Sequence, residues 1–484
     1  MVGAGNGVEQ AAGLLGWNLI KGNGGRIIES NGNFFIGQAE NGEKKYCINA
    51  FPPLSIEEAR FLHDALRELQ ESSKKLGNGG IKKFLRYFCI RNLIELDKEQ
   101  VQYCTLLLQK MVFGFGALDF VLADDEIEEI AIIGTGIEKP VQIFHCRHGW
   151  LPTNIFFADG NSVRDAVNKM AACIGRRLTL NSPVLNATLP DGSRLNAAIN
   201  PVSFTGPSVT IRKFKKNPFT PLQLIQNKTF SAEAMAFLWV AMQCDCAVLI
   251  AGNTGSGKTS SLNALFSFVP ANERIVIVEE TPEIRLPHRH LVKLNVVKEQ
   301  NIAMQNLIVD TLRMRPDRIV VGEVRSSEET KAFIDTLLAG QGKGSYATFH
   351  GQSAKEAANR MKALGIDETD IGALDLIVVQ RRWSRVDSST GKTAEMRRIM
   401  EITELQEENG AASFNPLFQY DFGQDKLLPV GESKRVALKA MNCFALDRKQ
   451  LDAEIGRRAL LLQKSIGREL GIEEFFRLVN SKWN

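Results

Sequence analysis

The residues with the plainest chemical potential run from Gly252 to Thr259, Gly-Asn-Thr-Gly-Ser-Gly-Lys-Thr. They fit the phosphate-loop pattern GxxxxGK(S/T) at every fixed position. Glycines let the backbone curl so that successive N–H groups point inward at phosphate oxygens. Lys258 is expected to reach the β- and γ-phosphates of a nucleoside triphosphate, and the Thr259 hydroxyl to ligate Mg²⁺. Gly252, Asn253, Thr254, Gly255, Ser256, Gly257 and Ser260 complete the expected binding set. Hydrolysis needs more. The metal requires a carboxylate near the end of a neighbouring strand, and the attacking water requires a group that orients or deprotonates it. The acids available are Glu279, Glu280, Glu283 and Glu323. Glu323 ends an apolar strand, a poor place for an idle carboxylate. Gly322 stands before it where many phosphate-loop enzymes have Asp, so Glu323 is expected to carry the second acidic function alone, as a metal ligand with Thr259.

These side chains need a frame. Cys246 to Ala251 is a short apolar run that suits a buried strand, and Ser260 to Phe268 has helical spacing. The loop thus lies between strand and helix, where a helix N-terminus adds free N–H groups and partial positive charge. Downstream, strands (Arg274–Val278, Arg318–Val321, Ser345–Phe349) alternate with helices (Met304–Met314, Ser327–Ala339, Ser353–Leu364). Alternation argues for a largely parallel sheet in an α/β core. Three of its strands carry Glu279/Glu280, Glu323 and His350 at their C-terminal ends, the edge where open α/β sheets bind ligands. Leu374–Arg381 and Arg397–Leu405 read as further strands, and the tail from Arg448 to Trp483 as charged helix.

Upstream, residues 1 to about 32 are rich in Gly and Asn and are expected to be loosely ordered. A hairpin follows around residues 40–43, then a helix capped by Ser55 and Glu58, and helices over 82–96 and 98–112. Gly114-Phe115-Gly116 marks a break, beyond which come short strands at 127–133, 142–144, 195–199 and 208–213 and a helix at 159–174. The charged, proline-bearing stretch Phe214 to Pro221 is the best linker. The domains expected are an accessory segment (1–110), an α/β sensing domain (111–216), a linker (217–221) and a nucleotide-binding α/β domain with a helical tail (222–484).

At 484 residues, 44% hydrophobic and 24% charged, the chain is globular and too long for one core. Its net charge of +4 makes no case for a general nucleic-acid binder, and basic residues are not concentrated. The eight cysteines form no CxxC pair and the six histidines no metal pattern. Without a long apolar run or a signal-peptide start, the expected location is cytoplasmic.

The sequence resembles the type II/type IV secretion ATPases, particularly archaeal members that drive pilus or archaellum assembly. Four boxes carry the resemblance: the phosphate loop Gly252–Thr259; the acidic segment Val278 to Glu283; Leu312 to Arg325, which ends Val-Val-Gly-Glu-Val-Arg; and Ala339 to His350. Leu189 to Arg194 and Thr210 to Phe214 also resemble the family's N-terminal domain. The resemblance covers roughly residues 110 to 405. It implies an α/β, RecA-like P-loop ATPase domain behind a separate N-terminal α/β domain, using ATP and Mg²⁺. It assigns Glu323, Glu279 and Glu283 to the metal and the attacking water, and gives His350 a γ-phosphate sensing role. Arg194 and Arg212 would reach the γ-phosphate from the N-terminal domain. It further implies a homohexamer working with a polytopic membrane platform protein at the inner face of the cell membrane, with no specific nucleic acid. Departures are Gln341, where the family has His, Glu280, where Asp is usual, and the lack of a four-cysteine zinc insert. A DNA-translocating conjugation ATPase and a nucleotide-gated scaffold with little turnover are the alternatives.

Overall fold

The computed structural model describes every residue except 1, 22–25, 72–77, 215–217, 298–299, 341, 387–392, 409–410 and 483–484. The chain divides into two compact units, Met1–Lys215 and Lys216–Asn484.

The second unit is built on a nine-stranded sheet. From one edge its strands are Leu291–Asn295, Ile275–Glu279, Arg318–Val321, Ser345–Phe349, Val248–Gly252, Leu376–Val386, Thr393–Glu408, Ala411–Asp421 and Lys426–Pro429. The first six run parallel, and the last three extend the sheet antiparallel. Ile275–Glu279, Arg318–Val321, Ser345–Phe349 and Val248–Gly252 are buried along their whole length, as expected of parallel strands covered on both faces. Helices Ala232–Gln243, Lys258–Leu265, Met304–Thr311, Ser327–Leu338 and Ala354–Ala363 contribute to that cover. Ser231, Ser326 and Ser353 start three of them by accepting an N–H from the third helical residue. This is the RecA-like α/β fold expected.

The antiparallel extension is larger than the sequence suggests. Ala411–Asp421 was not legible as a strand because it contains Asn415 and Pro416. A register shift beside Thr403 accommodates the proline, so the pairing skips Leu417.

The first unit has its own core, which runs from Trp17 to Ile211. Its largest sheet has six strands in the order Gly149–Pro152, Gln142–His145, Ile127–Ile133, Ser208–Arg212, Arg194–Ala198 and Val184–Thr188. The expected hairpin is present as Phe34–Gln38 and Lys44–Ile48, with Arg26–Asn31 as a third strand. The capping box at Ser55 and Glu58 is formed and opens helix Ile56–Glu71. Lys98–Phe113 is helical, and the segment expected as helix 82–96 ends at Arg91.

The expectation of a loose N-terminus is overturned. Val2–Leu15 is a helix and Trp17–Leu19 pairs with Ile155–Phe157. Glycine and asparagine content pointed to a loop, but burial decides: Ala11, Ala12 and Leu19 are inaccessible. Buried Asn18 exchanges hydrogen bonds with the Leu54 N–H and C=O. Of the expected linker stretch, residues 215–217 lie outside the described residues. Pro221 opens helix Pro221–Gln226, capped by Thr220.

Candidate functional site

The loop leaves the buried strand Val248–Gly252 at the C-terminal edge of the sheet. Gly252 has no room for a side chain: a Cβ there would lie 2.1 Å from the Gln380 carbonyl oxygen on the next strand. Gly255 (φ +72°) and Gly257 (φ +98°) take left-handed conformations that turn the chain into helix Lys258–Leu265. Lys258 is buried and folds back, donating to the Gly252 and Asn253 carbonyl oxygens at 3.2 Å each. Ser256 Oγ is buried and has no partner among the described residues. Thr254 is exposed on the loop, and Ser260 is half-buried in the first helical turn. A curled backbone, a cation and an orphaned hydroxyl together fit a polyphosphate.

The acids arrive from the neighbouring strands. Thr259 Oγ1 donates to Glu283 Oε2 at 3.3 Å, so hydroxyl and carboxylate share one locus, as a Mg²⁺ site requires. Glu279 ends its strand almost wholly buried, and its Oε1 accepts the Glu283 and Ile284 N–H groups at 2.9 Å each. Burial pushes its carboxyl up to about 7, against the pull of those two hydrogen bonds. The glycine before Glu323 now has a reason: a Cβ on Gly322 would come within 3.0 Å of Glu279 Cγ.

Glu323 Oε1 lies 2.8 Å from His350 Nε2, and Arg325 Nε donates to its Oε2 at 2.9 Å. Burial alone would raise this carboxyl. Arg325 foremost, with Lys258 and His350, holds it below its ordinary value. His350 is itself held below the usual imidazole range, first by burial and then by the charge of Lys258. Arg325 Nη1 also reaches Glu280 Oε2 at 2.8 Å, so the Glu at the usual Asp position joins this network. Glu323, expected on the metal with Thr259, is thus turned to His350 and Arg325, while Glu283 meets Thr259.

A second set of contacts was missed in the sequence. Asn253 Nδ2 donates to the Arg382 carbonyl at 2.8 Å and its Oδ1 accepts the Arg382 N–H at 2.9 Å. Arg397 Nε donates to the Gly255 carbonyl at 3.1 Å, and Ser261 Oγ to Gln380 Oε1 at 2.7 Å. Glu395 Oε1 lies 2.7 Å from both Arg382 and Arg397. No motif announces these residues; Gln380 and Arg382 only follow the apolar run that starts strand Leu376–Val386, and Glu395 and Arg397 lie on the next strand.

Arg194 and Arg212 belong to the first unit, and the structure brings them together. They face one another across the pair of strands Arg194–Ala198 and Ser208–Arg212. Like charges directly opposite are unfavourable; Glu129, opposite Arg212 on its other neighbouring strand, offsets part of the repulsion, and an anion would offset more. Gln341 lies outside the described residues. In the same unit Glu29, Glu126 and His145 approach with metal-ligand spacing, a grouping not legible in the sequence. Arg147 already bridges both carboxylates, and His145 Nδ1 accepts the Arg147 N–H at 3.2 Å. That leaves the proton of neutral His145 on Nε2, so this is an ion-pair cluster and not a ready metal site.

A phosphate loop at the C-terminal edge of a parallel sheet, with carboxylates from the ends of nearby strands on one side of it, defines a phosphate-loop nucleotide-binding protein. More specifically, the chain belongs to the Type II/IV secretion system protein family, whose model matches residues 136–443. Its similarities include the uncharacterized protein MJ0900 of Methanocaldococcus jannaschii, 30% identical over 398 residues, covering 78% of this chain and 69% of that protein. MJ0781 of the same organism is 35% identical over 303 residues, covering 60% of this chain but 41% of the relative, so the chain spans less than half of that protein's length. Among solved structures, the VirB11 ATPase from the Brucella suis type IV secretion system, crystallised with sulphate, is 24% identical. That match covers 59% of this chain and 92% of VirB11, with a TM-score of 0.30.

Proposed function

We infer that this chain is an ATP-hydrolysing motor that drives assembly of a surface filament, of the type IV pilus or archaellum kind, or type II/IV protein secretion. One observation carries the reading: Thr259, in the helical turn after the loop, meets Glu283, while Glu323 and His350, just past the ends of two neighbouring strands, meet each other within reach of the Lys258 charge. The loop N–H groups and Lys258 would hold the ATP phosphates, and Thr259 with Glu283 would hold Mg²⁺. The metal supplies charge neutralisation on the phosphates when bound. Glu323, kept ionised by Arg325, orients the attacking water and accepts its hydrogen bond. His350 relays the state of Glu323 to its own strand end. Arg194 and Arg212 form a paired cationic site suited to an anionic group. The chain acts as a homohexamer at the inner face of the cell membrane, passing work to a membrane platform protein, with residues 1–110 as its accessory segment.

Phosphate release by the purified protein tests this, measured with and without Mg²⁺ beside Lys258→Ala and Glu323→Gln, with particle size read in the same samples. Expected are metal-dependent turnover, a loss on the order of 10²–10³-fold in Glu323→Gln with ATP binding retained, and a particle of six chains. ATP binding with neither turnover nor a ring would favour a gated scaffold. Tight, salt-sensitive DNA binding would favour a DNA translocator.

A further inference from the structure

Overall charge hides a local concentration. From Ser72 to Ile94 the sequence has lysine or arginine at 74, 75, 82, 83, 86 and 91 and no aspartate or glutamate. The chain's net +4 is smaller than what this stretch alone carries. The expectation that basic residues are nowhere concentrated is therefore corrected here. Acidic residues resume only at Glu95, before the helix capped by Asp97.

The structure places part of this stretch on helix Asn78–Arg91 of the first unit. Its inner face is core: Ile81, Leu85 and Phe88 are buried, and Phe84 and Cys89 pack against the same cluster. At about 100° per residue, the remaining positions fall on the opposite half of the helix. Lys82 and Arg86 flank one side of that outer face, Arg91 flanks the other, and Lys83, Tyr87 and Ile90 lie between them. Tyr87 is 61% exposed, Ile90 75% and, just past the helix end, Leu93 93%. Arg91 is engaged by Glu68 and stacks over Tyr87 and Phe88. Lys82, Lys83 and Arg86 have no carboxylate partner among the described residues.

Solvation alone explains exposed lysines, but not the exposed Tyr87 and Ile90 on the same face or Leu93 just past its end. A nucleic-acid surface would use the cations and the tyrosine, yet gains little from aliphatic Ile90 and Leu93. Exposed apolar side chains interleaved with cations on one face fit a helix lying in a lipid interface. There the aliphatic groups enter the acyl boundary, lysine stems follow them, and the charges stay among headgroups. We propose that the outer face of helix Asn78–Arg91, with Leu93, is a docking surface for a bilayer rich in anionic lipid. The proposal is independent of nucleotide turnover. It adds a direct lipid contact to whatever protein partner holds the chain at a membrane.

The experiment is co-sedimentation of the full chain, without nucleotide, with vesicles of phosphatidylcholine alone or mixed with phosphatidylglycerol. Binding is expected only to the mixed vesicles and should weaken as salt rises. Neutralising three cations (Lys82→Gln, Lys83→Gln, Arg86→Gln) should lower partitioning about a hundredfold, at roughly fivefold per charge near an anionic surface. Ile90→Gln and Leu93→Asn should each cost about tenfold with all charges intact. All five sites are exposed, so circular dichroism should be unchanged. No binding to the mixed vesicles, or binding that neither set of variants weakens, would overturn the proposal. So would tighter binding to duplex DNA that ignores Ile90→Gln and Leu93→Asn.

Discussion

Replacing Glu279 with glutamine should stabilise the second unit at and above neutral pH. Burial raises this carboxyl from 4.5 to about 7. Below 4.5 it is protonated in both folded and unfolded chains and contributes no pH dependence. Between the two values the unfolded chain releases its proton while the folded chain keeps it, so stability falls as pH rises. Above about 7 the folded chain carries a buried carboxylate and the whole penalty is present. At about 1.4 kcal/mol per pH unit, that penalty is about 3 kcal/mol. In Glu279→Gln the amide would keep a carbonyl oxygen for the Glu283 and Ile284 N–H groups and could not ionise. For a unit of this size, about 2–4 °C per kcal/mol implies a melting temperature about 6–12 °C above wild type at pH 8. The advantage should shrink through pH 7 and vanish near pH 4.5. Calorimetry of the full chain across that range, in chelator so that no cation offsets the charge, measures this directly. An advantage that is absent at pH 8, or the same at every pH, would refute the argument that desolvation governs Glu279.

Arg318 is inaccessible, and its guanidinium bonds Glu273, the Tyr346 hydroxyl and the carbonyls of Cys244 and Lys343. Arg318→Ala should cost about 3–5 kcal/mol in urea unfolding, because it leaves buried Glu273 to the half-exposed Lys343 ammonium and takes the donor from the Tyr346 hydroxyl and both carbonyls; a loss under about 1 kcal/mol would contradict this. Asn253→Ala removes both bonds to the Arg382 backbone and should weaken binding of a fluorescent ATP analogue about tenfold, at about 1.4 kcal/mol; unchanged affinity would show that the loop holds its shape unaided. Glu404 sits below its ordinary value although burial opposes this, because the Ser433 hydroxyl and the Lys434 and Val436 N–H groups bond its carboxylate. Its stabilisation is present above the unfolded value of 4.5 and is lost as pH falls through the lower folded value. Acid unfolding of Glu404→Gln should therefore be shallower in that window than wild type.

What could be read from sequence was whatever local pattern determines. The strand–loop–helix around Lys258 has a fixed spelling, and the parallel strands are unbroken apolar runs, so both were legible. The ends of those strands named Glu279, Glu323 and His350. Local pattern could not say which acid faces which partner. Thr259 meets Glu283, four residues past the end of strand Ile275–Glu279, because the Glu279 carboxyl captures the backbone N–H groups of the turn. Nor could it find the N-terminal helix, where tertiary burial of Asn18 and the alanines overrides a loop-like composition. The lipid-facing helix was obscured for a different reason: averaging charge over the chain cancels a cluster that lies on one face.

The phosphate loop shows why motif reading stops short of a mechanism. Its eight residues specify where phosphate can bind, but not what holds the curl in shape. That support comes from residues more than a hundred positions downstream. The Gln380 carbonyl leaves Gly252 no room for a side chain, Asn253 is tied to the Arg382 backbone on both sides, and Arg397 takes the Gly255 carbonyl. Each contact fixes a carbonyl or side chain on the outside of the curl and so leaves the inward N–H groups to an anion. Glu395 ties the two arginines together, which couples the loop to the hairpin of strands Leu376–Val386 and Thr393–Glu408. A displacement of that hairpin would change the loop's shape without touching the motif. Substitutions at Arg382 or Arg397 should therefore alter nucleotide affinity before they alter the turnover of bound nucleotide.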